Sequence, residues 1–303
     1  MSLLPERGST WDPRRIVAQR GSITGKRMAR VLRARYARRI QRAQLPAVRA
    51  PRRVDVDMIS FSCERDLPEQ VLSIRSFLRY VGEPASFTVI SDGTITPASA
   101  TLLRGLSSAV DVLSVGQYAA GVPVHSAVQE FADTKAYGRK LIALTAMRPA
   151  GRPVGYADSD VLFHAGGAGL ARHIETMGAT AWFVQDCQEA LDVRLVPPEE
   201  RHPPLNSGFL LTGRPIDWRA ATERLEAIGE ADAPGYGWTE QSVVHLAYRA
   251  SGGAPLPGDA AVVTLDDQFR WADANIGERV WLRHYVTDTR FKMWLCLLGA
   301  VEP

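Results

Sequence analysis

The chain has 303 residues, 46% hydrophobic and 23% charged, a composition that suits a folded enzyme of one large or two small domains and excludes a disordered or fibrous protein. Its formal charge of +3 conceals an asymmetry: residues 14–53 carry 14 Lys/Arg and no acid, whereas residues 54–303 carry a net charge of −10. No run reaches the roughly 18 uninterrupted apolar residues of a membrane span, no signal-like leader opens the chain, and Cys63, Cys187 and Cys296 lack metal-ligand spacing, so a cytoplasmic protein with reduced thiols is expected.

Residues 1–53 read as a basic arm with a linker. Met28, Val31, Leu32, Tyr36 and Ile40 recur at three- or four-residue steps while arginines fill the other faces, which predicts an amphipathic helix over about 24–44. Pro46 and Pro51 end it. Such a helix can pack on the acidic body, stay disordered, lie peripherally on an anionic membrane surface, or contact nucleic-acid phosphates. Nothing in the sequence favours the last: no aromatic platform or nucleic-acid motif accompanies it.

From residue 54 to 303 short β-rich runs alternate with helical stretches. Strands are expected at 54–61, 85–91, 110–115, 154–163 around an acidic turn, 180–185, 208–212 and 262–265. Helices are expected at 66–80 (Asp66 as N-cap, Pro68 in the first turn), 97–106, 126–148, 167–177, 217–229 and 238–250. This alternation predicts an α/β domain: a Rossmann-like, mainly parallel sheet with helices on both faces and ligands beyond the carboxyl ends of the strands. No Gly-rich dinucleotide or P-loop signature follows the first strand.

Asp158-Ser-Asp160 falls at such a strand end. Two carboxylates one residue apart can hold a hard divalent cation, Mn²⁺ or Mg²⁺, that in turn grips a diphosphate. With 18 Asp in the chain roughly one Asp-x-Asp arises by chance, and Asp55-Val-Asp57 is a second, so the surroundings decide.

Those surroundings form an ordered set: Tyr137-Gly-Arg-Lys-Leu141, Asp158-Ser-Asp160, Asn206-Ser-Gly-Phe-Leu-Leu211, Glu240-Gln241, then His284 through Lys292-Met-Trp294. The set resembles the GT-A nucleotide-sugar glycosyltransferases, especially the glycosyltransferase family 8 group of glycogenin-like and lipopolysaccharide galactosyltransferase-like enzymes. That family closes on His-x-x-Gly-x-x-Lys-Pro-Trp; here the Gly and Pro are missing and Lys292 comes two residues late.

The resemblance implies a GT-A domain over about residues 54–295. It implies metal ligands Asp158, Asp160 and His284, with Asp158 also near the donor ribose. Lys292 would neutralise the leaving diphosphate, and Arg139 and Lys140 would meet the donor phosphates or sugar, Lys140 being the one that faces the site. Asn206, Ser207 and Gly208 would contact sugar hydroxyls. Asp186, Glu240 and Gln241 are the remaining carboxyl and amide groups for catalysis. Ser62, Arg65 and Asp92 are assigned to the nucleotide by their position at strand tips. The expected activity is metal-dependent transfer of a sugar from a nucleoside-diphosphate sugar, UDP favoured, to a carbohydrate or lipid-linked acceptor hydroxyl. By resemblance the reaction retains configuration and serves cell-surface polysaccharide or glycolipid synthesis. The loops 118–125 and 193–204 are the expected acceptor loops. A nucleotidyltransferase or a non-catalytic sugar-nucleotide-binding scaffold are the alternatives.

Overall fold

The computed structural model describes residues 22–42, 44–228, 236–265 and 276–298. Among these, ten strands run in chain order: β1 (Arg53–Ser62), β2 (Glu83–Ser91), β3 (Val110–Ser114), β4 (Val154–Ala157), β5 (Val161–Phe163), β6 (Ala181–Gln185), β7 (Leu205–Thr212), β8 (Ala254–Pro255), β9 (Ala261–Val263) and β10 (Leu282–His284). Seven of them form one sheet in the order β3-β2-β1-β4-β7-β6-β8, and β5-β10-β9 form a small second sheet. In the large sheet every pairing is parallel except the two made by β7. The mainly parallel α/β sheet is thus as the sequence predicted.

The helices are α1 (Ile23–Gln41), α2 (Leu67–Tyr80), α3 (Pro97–Arg104), α4 (Val115–Tyr118), α5 (Ser126–Thr134), α6 (Ala136–Thr145), α7 (Gly167–Thr176), α8 (Arg219–Ile228), α9 (Thr239–Ala250) and α10 (Lys292–Leu295). They cover both faces of the sheet, because strand side chains alternate. Val54, Val56 and Met58 of β1 join one core with Leu72 and Phe77 of α2 and Leu170 of α7. Ile59, one residue on, joins the other core with Leu141 of α6 and Val243 of α9. Burial on both faces explains why β7 (Leu205–Thr212) is buried at all eight positions.

Two expectations changed. The single helix expected over 126–148 is two helices, broken where Lys135 takes an extended conformation (φ −140°, ψ 143°). The break lets α5 and α6 pack backbone to backbone: a Cβ added at Gly138 would lie 2.3 Å from the amide nitrogen of Ala132. Asp66 occupies the N-cap position of α2 but makes no capping hydrogen bond; its carboxylate is drawn instead to Arg65 and Arg290, at 3.1 and 3.0 Å.

The helix of the basic arm packs on the body. Ala29, Tyr36 and Ile40 are buried, Met28 and Leu32 partly so, whereas Val31, expected on the apolar stripe, is half exposed. Tyr36 lies 5.7 Å from the ring of Trp294. Arg33 grips Glu69 with two nitrogens, at 2.6 and 2.9 Å, and donates to the carbonyl of Arg65 at 2.7 Å. A bidentate arginine–carboxylate pair fixes orientation as well as charge.

Candidate functional site

In the large sheet the chain runs outward from β1 to β2 and β3, then returns to place β4 on the other side of β1. The segments leaving the carboxyl ends of β1 and β4 therefore diverge, and a crevice opens between them. It is a cleft of about 690 Å³. Its floor is Asp158, Ser159, Asp160 and His284, one wall is residues 61–66 with Asp92 and Thr94, and the facing wall is Ala136, Tyr137 and Lys140. Val286 and Arg290 complete the rim.

The acidic turn is held from both sides. The Asp158 amide donates to the Gly208 carbonyl on β7 at 2.8 Å, and the Tyr285 amide donates to the Asp160 carbonyl at 3.0 Å. Pairing of β10 with β5 sets His284 opposite Val161, immediately beside the turn. His284 Nε2 lies 3.1 Å from Asp160 Oδ1 and 3.7 Å from Asp158 Oδ2. One donor atom from each of the three residues falls within 4.8 Å of the others.

The tautomer of His284 follows from the groups behind it. Asn206 Oδ1 accepts the Gly208 amide at 3.0 Å, and Asn206 Nδ2 donates to Asp186 Oδ2 at 2.9 Å, so the amide orientation is fixed. His284 Nδ1, 2.6 Å from the same Oδ1, must then carry a proton, so Nε2 is the nitrogen that faces the two carboxylates and can offer its lone pair to a cation. Gln241 extends the chain, donating to Asp186 at 3.2 Å and to the Ala190 carbonyl at 2.8 Å. Gly208 is required here for space: a Cβ would sit 2.1 Å from His284 Cε1 and Nδ1. The structure thus places Asn206, Gly208, Asp186 and Gln241 behind His284, not on the surface of the cleft.

Lys140 does face the cleft. Its ammonium donates to Asp158 Oδ2 at 3.1 Å and to Ser207 Oγ at 3.3 Å, and lies 3.5 Å from Glu240 Oε1. Burial pulls against its charge, but Asp158 and Glu240 overcome this and hold it protonated, above the ordinary lysine range. Glu240 is pushed up by burial, which Lys140 only partly offsets. Tyr156 donates its hydroxyl to Asp158 Oδ1, a contact the sequence did not disclose. Arg139, the neighbouring basic residue, turns away and donates to the Asp92 carbonyl at 2.9 Å. That bond steadies the Asp92 turn, in which the carboxylate accepts from the Thr94 amide and hydroxyl. Tyr137 is 58% exposed and lines the cleft.

The largest departure lies in the closing segment. Lys292 is 1% exposed, starts α10, and does not line the cleft. Arg290 does, with Nε 3.4 Å from Asp160 and Nη2 3.0 Å from Asp66. Burial opposes its charge, yet Asp160 and Asp66 hold it firmly protonated. Asp160 is correspondingly lowered: burial would raise it, but His284 and Arg290 prevail. Burial likewise works against a charged His284, and Asp160 more than compensates. Arg290 stands six residues after His284, the spacing that the resembling pattern gives its lysine, and Thr287 stands where that pattern has Gly. Thr287 accordingly adopts φ 46°, a left-handed conformation that favours glycine and strains a β-branched residue. Both signals were present in the sequence, hidden by the Lys two positions on.

Two Asp oxygens and an imidazole lone pair converging on one point are the donor set of a divalent cation such as Mn²⁺, and they repel one another without a cation or a proton between them. Lys140 and Arg290 flank the same point, a pairing that suits an anion bridging to that cation.

No protein-family model matches the chain, and no curated protein matches it by sequence. Solved structures do. The apo structure of the bifunctional glycosyltransferase WbbM aligns with a TM-score of 0.51 at 13% identity, over 85% of this chain and 51% of that one. The galactosyltransferase LgtC, in complex with donor and acceptor sugar analogs, aligns at 0.49 and 16% identity over 81% of this chain and 97% of its own. Mouse xyloside xylosyltransferase 1 aligns at 0.48 and 13% identity, over 78% and 99%. At such identities the likeness is one of fold, and the first of these carries it: the chain has the GT-A glycosyltransferase fold.

Proposed function

We propose that this chain is a metal-dependent glycosyltransferase that moves a sugar from a nucleoside-diphosphate donor to an acceptor hydroxyl. The observation that carries the reading is the convergence of Asp158, Asp160 and His284 at the switch point of the sheet, with Lys140 and Arg290 beside them. The resemblance of the ordered motifs adds the finer reading: a UDP-sugar donor, retention of configuration, and an acceptor in cell-surface polysaccharide or glycolipid synthesis.

Asp158, Asp160 and His284 would hold Mn²⁺ or Mg²⁺, which when bound supplies charge to the diphosphate oxygens. Asn206 keeps the His284 lone pair directed at that position, and Asp186 and Gln241 keep Asn206 in place. Arg290 takes the role the sequence assigned to Lys292: its guanidinium, on the rim and always charged, stabilises negative charge developing on the departing diphosphate. Lys140 positions donor phosphate or sugar while balancing Asp158 and Glu240. Residues 62–65 and Asp92 form the nucleotide wall. The geometry of Glu240, under the floor and bonded through Ser207 Oγ at 3.2 Å, supports a role in fixing Lys140.

The test is calorimetry with nucleoside diphosphates and nucleotide sugars, with and without Mn²⁺. The reading expects one base to bind at least about tenfold tighter with the metal, a difference of about 1.4 kcal/mol, and donor turnover to release nucleoside diphosphate. Release of pyrophosphate, or metal-independent binding, would reject it. Proton NMR of the first-formed product linkage decides retention.

A further inference from the structure

Helix α1 seats one face on the body and leaves the opposite face to solvent. At 100° per residue, Ala29, Tyr36 and Ile40 centre the buried side, and the outer residues fall within an arc of about 140°. Arg27, Arg30, Arg35, Arg38 and Arg42 are exposed on that arc, and none makes an ion pair with a described residue. The helix has no acidic residue to balance them. Ile23 and Val31, 69% and 50% exposed, lie among them. Among the described residues no carboxylate pairs with this face, and the arginine–carboxylate pair that α1 makes with α2, Arg33 with Glu69, is on the inner side.

We infer that this outer face docks α1 in the plane of an anionic lipid bilayer. The chemistry matches: arginines pair with headgroup phosphates while their alkyl stems lie along the interface, and Ile23 and Val31 reach the acyl boundary. A nucleic acid is the poorer fit, because the arc presents no aromatic side chain for base stacking, Tyr36 being turned inward against Trp294. No helix among the described residues is long and apolar enough to cross a membrane, so a bilayer partner would be met from its surface.

The docking helix also touches one wall of the cleft and the segment that follows its rim. Its Arg33 donates to the carbonyl of Arg65, a cleft residue, and its Lys26 and Arg33 lie over the rings of Phe291 and Trp294, just after Arg290 in the chain. A bilayer held against α1 therefore lies beside the cleft rim, which suits a lipid-linked acceptor. That last consequence rests on the proposed function; the docking itself does not.

The experiment is co-sedimentation of the full chain with vesicles of phosphatidylcholine alone and of phosphatidylcholine mixed with phosphatidylglycerol. Binding is expected only to the anionic vesicles. It should weaken with salt as the screening length falls from about 10 Å at 0.1 M to about 3 Å at 1 M. Replacing four arginines together (Arg27→Gln, Arg30→Gln, Arg35→Gln, Arg38→Gln) should reduce partitioning by roughly several hundredfold, at about fivefold per arginine. The unfolding temperature and metal-dependent turnover of a water-soluble donor should not change, so failure of docking and failure of the proposed function are read separately. The pair Ile23→Ser and Val31→Ser should weaken vesicle binding several-fold and leave binding to a single-stranded oligonucleotide unchanged. Equal binding to neutral and anionic vesicles, or full binding by the four-arginine variant, would overturn the inference. Vesicle binding that ignores Ile23→Ser and Val31→Ser while an oligonucleotide competes it away would assign the face to nucleic acid instead.

Discussion

Asp55 and Asp57 lie near the amino end of β1, and Asp158 and Asp160 lie just past the carboxyl end of its neighbour β4. The two strands are paired, with Asp57 opposite Val154 at the start of β4, so the two Asp-x-Asp patterns sit at opposite rims of one sheet. Asp55 is 76% exposed and pairs with Arg152 at 3.1 Å; Asp57 accepts the Ser86 hydroxyl at 2.6 Å and shares the same arginine. An arginine and a hydroxyl satisfy these carboxylates at the surface. At the other rim the carboxylates meet a histidine lone pair, an ammonium and a guanidinium around one cleft. The pattern of residues is the same, and the end of the strand decides what it does.

The comparison is broken most sharply by substitution. Asp160→Ala should lower metal-dependent turnover by about a thousandfold or more, since the metal contributes several kcal/mol of charge stabilisation. Asp57→Ala should change turnover less than about twofold and cost under about 1 kcal/mol of stability, as surface pairs do. Steady-state rates and denaturant midpoints check both, and equal losses would erase the distinction.

Within the functional rim, Arg290→Ala should lower kcat about a hundredfold with little change in KM, the loss expected when one donor to developing charge is removed. Arg290→Lys should recover part of it. Lys292→Met, at a buried position outside the cleft, should leave kcat within a few-fold per folded molecule. The opposite order would restore the expectation drawn from the sequence.

Gly208→Ala drives a methyl into the His284 ring and should weaken Mn²⁺ binding about tenfold to a hundredfold, the range for disturbed supporting groups. Isothermal titration with Mn²⁺ reads this directly. The smallest effect is at Thr287: replacement by Gly relieves the left-handed strain and should raise stability by about 1 kcal/mol, with kcat unchanged, in chemical unfolding.

The sheet was legible because its strands are short apolar runs closed by turn residues, and their burial on two faces leaves little ambiguity of type. The site was legible in part. Asp158 and Asp160 stand out by position, and Lys140 through the resemblance, but β10 is three residues long and too short to announce itself by periodicity. His284 therefore came only through resemblance. Lys292 masks Arg290 in the sequence, because it offers the expected residue type two positions after the expected spacing. The backbone favours the spacing: the turn at Thr287–Thr289 sets Arg290 toward Asp160, and two residues later the chain has entered α10 and buried its lysine. The supporting role of Asn206, Asp186 and Gln241 behind His284 depends on contacts across three separate elements, which no local pattern encodes. Likewise Val31 belonged to the apolar stripe by spacing, yet the body meets the other side of that helix, around Ala29, Tyr36 and Ile40.

The most direct measurement is Mn²⁺ binding followed by electron paramagnetic resonance on the full chain, compared with its Asp160→Ala and Asp57→Ala variants. Quenching of the free-ion signal should reveal one tight site per chain in the parent and in Asp57→Ala, and none in Asp160→Ala. Equal binding by all three proteins, or binding lost with Asp57 instead, would contradict the assignment of the metal to the rim of β4.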